Sequence, residues 1–69
     1  MYIAKKESDT RVGVYKSETG SRVRSFSMSD RIVRVNIEGD EISIACQRND
    51  GSEKVYVYRI STGSHIRSF

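Results

Sequence analysis

One sixteen-residue segment of this chain occurs twice. Residues 11–26 read Arg-Val-Gly-Val-Tyr-Lys-Ser-Glu-Thr-Gly-Ser-Arg-Val-Arg-Ser-Phe, and residues 54–69 read Lys-Val-Tyr-Val-Tyr-Arg-Ile-Ser-Thr-Gly-Ser-His-Ile-Arg-Ser-Phe. Nine of the sixteen aligned positions are identical, among them Val14/Val57, Tyr15/Tyr58, the Thr-Gly-Ser runs at 19–21 and 62–64, and Phe26/Phe69. Three further pairs are conservative: Arg11/Lys54, Lys16/Arg59 and Val23/Ile66. A chain that repeats itself at a spacing of 43 residues builds one supersecondary unit more than once. The likeness extends backward, where Tyr2–Lys6 aligns with Ser43–Gln47 once two residues are allowed for in the second loop.

The length of 69 residues permits a single domain, 1–69. A chain this short buries only about 60% of the surface its unfolded form exposes, so its core is thin. Small scaffolds compensate with disulfides, a metal or association. One cysteine excludes an intramolecular disulfide, and one cysteine with one histidine excludes a Cys/His zinc site within a chain. Association is the remaining staple. The net charge of +3 comes from twelve basic and nine acidic residues with the signs interspersed, the pattern of a solvated surface. Met1–Glu7 holds no apolar run of signal-peptide length and no stretch is long enough for a membrane helix, so the expectation is a cytoplasmic, reducing location with no membrane partner.

Apolar residues recur with period two nearly throughout, which predicts strands. Val33, Val35 and Ile37 alternate with Arg34 and Asn36; Ile42, Ile44 and Cys46 alternate with Ser43 and Ala45. Gly39-Asp40 between them suits a tight turn with a positive φ, and Asp50-Gly51 marks another. Each repeat carries a polar turn ending in Gly20 or Gly63, the pattern of a loop closed by a left-handed glycine and a bulge. The fold class is therefore all-β, an antiparallel meander of about seven short strands near 2–6, 11–16, 22–26, 32–37, 42–47, 54–60 and 64–69.

Segments 12–26 and 55–69, with their apolar-x-apolar-aromatic-polar run and Thr-Gly turn, resemble the joint between consecutive blades of a WD-repeat-like β-propeller. Tyr15-Lys16 and Tyr58-Arg59 stand where that family often has Trp-Asp. The chain has no Trp and no Gly-His dipeptide, so the family's hydrogen-bond tetrad is not carried over. The resemblance implies that the Thr-Gly-Ser turn leads from the outer strand of one blade to the inner strand of the next, with strands 32–37 and 42–47 in the middle. Propellers close with about four to eight blades. One chain then forms either a compact or dimeric β-sheet arrangement or one part of a multi-chain ring.

No catalytic constellation stands out. His65 aligns with Arg22 and reads as an exposed polar position; Cys46, in phase with Ile42 and Ile44, reads as a small buried hydrophobe. Asp40, Glu41, Asn49 and Asp50 read as turn residues. No enzyme activity, cofactor or metal is expected. The chemical excess is arginine, eight against four lysines. Arg22, Arg24, Arg34, Tyr58, Arg59, His65 and Arg67 form the candidate interaction surface, with Arg24 beside Arg34 if strands 22–26 and 32–37 pair. Replacing Arg24 and Arg67 by Glu is expected to leave the fold intact. The favoured function is a non-enzymatic protein-interaction or self-assembly module, pairing through strand edges with itself or another protein. The alternative is a small β module that holds single-stranded nucleic acid on an Arg/aromatic sheet face.

Overall fold

The computed structural model describes residues 1–69 and contains seven antiparallel strands: β1 (Tyr2–Lys6), β2 (Arg11–Lys16), β3 (Arg22–Ser27), β4 (Arg31–Glu38), β5 (Glu41–Gln47), β6 (Glu53–Arg59) and β7 (His65–Ser68). They form two sheets, β1-β2-β3 and β4-β5-β6-β7, each in chain order. The turn chemistry is that expected. Gly39 takes φ 62° at the first central position of the β4–β5 turn, and Gly20, Gly51 and Gly63 have φ 75°, 89° and 77°. In the β5–β6 turn the Asp50 carboxylate accepts from both the N–H and the hydroxyl of Ser52 (2.9 and 2.6 Å), an Asx turn that fixes the loop.

Both copies of the repeat fold alike. Each makes a hairpin closed by its Thr-Gly-Ser turn, with Gly20 N–H donating to the Lys16 carbonyl and Gly63 N–H to that of Arg59. Each carries a register shift at the same place, Val14/Tyr15 in β2 and Val57/Tyr58 in β6. The repeated segment therefore lies within one sheet. The chain crosses between sheets at Met28–Asp30 rather than at the Thr-Gly-Ser turn, which corrects the strand order drawn from the resemblance. The complete four-stranded unit is β4–β7, and the first sheet has the three strands equivalent to β5–β7.

Pairing also corrects the backward alignment. Ile3 pairs with Tyr15 as Ile42 pairs with Tyr58, so β1 corresponds to Glu41–Ala45. Lys5 thus matches Ile44 rather than Cys46, and the β5–β6 connection is longer by more than the two residues allowed. β3 and β4 do not pair, so Arg24 and Arg34 are not neighbours on one sheet. A bulge between Ile32 and Arg34 moves the register of β4. Ile32 fills the core while Val33 turns to solvent, which reverses the in-phase reading of Val33.

The sheets stack with one core between them. It contains Val12, Val14 and Phe26 from the first sheet and Ile32, Ile42, Ile44, Cys46 and Ile60 from the second side. Burying such side chains contributes about 1.5–3 kcal/mol each, against the conformational entropy of ordering them. Across the interface the Phe26 ring packs on Tyr58 with centroids 4.9 Å apart. Polar staples tie the turns together at one end: the Ile60 N–H donates to the Asp40 carbonyl (2.7 Å), and the Asp40 carboxylate accepts from the Ser61 N–H and hydroxyl (3.1 and 2.7 Å).

Candidate functional site

Because the bulge in each hairpin inserts one residue, side chains two apart in the sequence emerge on opposite sheet faces. Arg24 pairs opposite Val14, whereas Arg22 pairs opposite Tyr15. Arg24 points between the sheets. Its guanidinium donates to the carbonyls of Ile60 (Nε, 3.0 Å) and Ser61 (Nη2, 3.3 Å), lying over Gly63. Any Cβ at Gly63 meets that guanidinium, so this glycine serves both the positive φ and the close approach. Arg24 is thus a clamp between sheets, and the expectation that Arg24→Glu leaves the fold intact is corrected.

Arg22 points outward on the first sheet, where its Nη2 donates to Glu7 Oε1 (2.8 Å) and the Tyr15 hydroxyl donates to Glu7 Oε2 (2.7 Å). The Glu7 carboxylate lies over Gly13, and Lys5 Nζ sits 5.3 Å from the Tyr15 ring centre. The hydrogen bond to Glu7 raises the pKa of Tyr15, because ionising the phenol removes the donor beside a carboxylate. This outward face is a closed charge network.

The second sheet repeats the same residues on faces with opposite roles. Tyr58, equivalent to Tyr15, faces inward; its pKa is raised, chiefly by burial. His65, equivalent to Arg22, is exposed at the strand edge and meets Tyr58 edge-on at 5.3 Å. Val55, Val57, Arg67 and Phe69 correspond to Val12, Val14, Arg24 and Phe26 but lie on the outward face of the second sheet. There Val57 is covered by neighbours of its own sheet, Val55 is half-buried, and Arg67 and Phe69 are exposed. Phe26 is 6% exposed and Phe69 69%. Arg67 reaches over β6 to Glu41 on β5 (Nη2–Oε1 3.5 Å), and Arg34 pairs with Glu53 (3.2 Å).

The seven candidate residues therefore do not converge. Arg22 lies on the outer face of the first sheet, Arg24 and Tyr58 lie at the sheet–sheet interface, and His65 lies at its edge. Arg34, Arg59 and Arg67 share the outer face of the second sheet. Only that last group forms a surface, together with Val55 and Phe69, two residues the sequence reading did not count as a site. Their signal was the repeat itself, read against burial. Cys46 is buried, and its thiol pKa is raised by that burial and by Asp30. An open depression of about 440 Å³ lies beside the Ser17–Gly20 turn, lined by Met1, Tyr2, Lys16, Glu18 and Thr19. No helix is long and apolar enough to cross a membrane. No protein-family model matches the chain, and comparison with curated proteins and with solved structures finds no match.

Proposed function

We propose that this chain is a non-enzymatic protein-interaction and self-assembly module. The observation that carries the reading is the fate of the repeated residues. The first set, Val12, Val14, Arg24 and Phe26, closes an interface, whereas in the second set Arg67 and Phe69 are exposed on the outer face beside half-buried Val55 and buried Val57. Edge strands β1 and β3 of one sheet and β4 and β7 of the other add backbone groups for pairing. Nucleic acid is the weaker reading, because Arg22, Arg34 and Arg67 hold carboxylates and Arg24 holds carbonyls.

Solution mass tests the proposal. A concentration series by light scattering is expected to show species larger than a monomer. A monomer throughout the micromolar range overturns self-assembly. Tight binding to a single-stranded oligonucleotide that strengthens as salt falls overturns the preference for protein over nucleic acid.

A further inference from the structure

The assembly reading leaves open which surfaces meet, and the duplication offers a template. Inside the chain, a donor face (Val12, Val14, Phe26 and the Arg24 guanidinium) packs on an acceptor face around Ile42, Tyr58 and the Ile60–Gly63 turn. Each half of that interface has a second copy on an outer sheet face. The spare donor face is half-buried Val55 with exposed Arg67 and Phe69, beside Val57, which the chain itself already covers (1% exposed). The spare acceptor is the outer side of the first sheet, with Ile3 for Ile42, Tyr15 for Tyr58 and the Ser17–Gly20 turn for Ile60–Gly63.

Three details mark this acceptor as unfilled. Gly63 is covered by Arg24, whereas nothing lies within 4 Å of a Cβ placed on Gly20. The carbonyls of Ser17 and Glu18, equivalent to those that Arg24 holds, accept no hydrogen bond within the chain. Ile3 is 40% exposed where Ile42 is fully covered. On the donor side Arg67 is held by an exposed pair with Glu41 at 3.5 Å and by the Phe69 ring, 5.8 Å from its centre; at exposed sites each such contact is worth at most about 1 kcal/mol, so both can yield to a new partner.

We infer that the spare donor face of one chain docks on the spare acceptor face of a second copy, with Arg67 on the Ser17–Glu18 carbonyls over Gly20 and Phe69 against Tyr15. The inference rests on the assembly reading above. The contact would repeat, between chains, the interface already present within the chain and joins unlike surfaces head to tail. The carboxylates near the receiving surface are already engaged, Glu18 by the Met1 ammonium (2.6 Å) and Glu7 by Arg22 and Tyr15, so the free turn carbonyls rather than net charge receive Arg67. Lys5 for Ile44, Gly13 for Tyr56 and Ser17 for Ile60 make the intermolecular contact more polar than the internal one, which suits reversible association.

Sedimentation velocity on the full chain and two exposed-site variants tests the pairing. Phe69→Glu disables the donor and Ile3→Glu the acceptor, with far-UV circular dichroism confirming that each stays folded; Arg67→Gln and Ile3→Ser replace any variant that does not. Each variant alone is expected to remain monomeric at concentrations where the unaltered chain associates. An equimolar mixture is expected to form a two-chain species and nothing larger, because one good donor meets one good acceptor. A mixture that stays monomeric overturns the inference. So does association of either single variant as strong as that of the parent, although self-assembly itself then survives through other surfaces. A parent chain that is monomeric throughout overturns both.

Discussion

Arg24 and Arg67 occupy equivalent places in the repeat and do different work. Arg24 makes two charge-assisted bonds to carbonyls in the opposing sheet, so Arg24→Ala is expected to cost about 1.5–3 kcal/mol in urea unfolding. Arg67→Ala removes an exposed pair with Glu41 and an exposed contact with the Phe69 ring and is expected to cost about 1 kcal/mol or less in the monomer. The glycines beneath them make a matched test. Gly20→Ala and Gly63→Ala both place a side chain at a positive φ and share that strain, of about 1 kcal/mol. Gly63→Ala also pushes on the Arg24 guanidinium, so it is expected to be the more destabilising of the two. Equal losses would show that the Arg24 clamp contributes little. At this scale the sequence was legible for turn glycines and for the buried Cys46. It was not legible for the arginines, because one inserted residue in each hairpin decides which face an arginine takes.

Strands and hairpins followed from period-two patterning and from Gly-containing turns, and both repeats were placed correctly because their local signals agree. Pairing between hairpins was harder to read. The order of β3 and β4 depends on which neighbour buries more apolar surface, and no local pattern carries that information. Val33 shows the same limit: strict alternation puts it inside, and the bulge puts Ile32 there instead. One tie between elements is directly testable. Asp40, in the β4–β5 turn, accepts two bonds from Ser61 in the β6–β7 turn. Asp40→Ala is expected to destabilise the domain by about 1–2 kcal/mol and to raise amide hydrogen exchange first at Ser61. Unchanged exchange there would show that the turns hold together without the staple.

As a whole, the molecule is a stacked pair of sheets whose two open faces differ: one carries a closed charge network and the other the exposed Arg67 and Phe69. Alkaline pH probes the stack through two inward groups. Burial raises the pKa of Cys46 and of Tyr58, so both hold their protons more tightly folded than unfolded. Their stabilising effect is complete below the unfolded values, about 8.5 for a thiol and about 10 for a phenol, and fades as pH rises through and above them. Urea midpoints under reducing conditions are expected to fall between about pH 8 and pH 11. In Cys46→Ala the early part of that fall is expected to flatten. A fall of the same size and position in the variant would remove Cys46 as a cause.

The duplication also poses a question for the unfolded chain. Two hairpins with nearly the same local contacts can nucleate independently, and each fits the other's strand pairing for most of its length. What tells them apart is a handful of unlike positions. The second hairpin seated in the first sheet would bring the Tyr56 ring against the Glu7 side chain that lies over Gly13, and would leave Ile60 at the exposed place of Ser17. Those two pairs are expected to disfavour the exchanged arrangement.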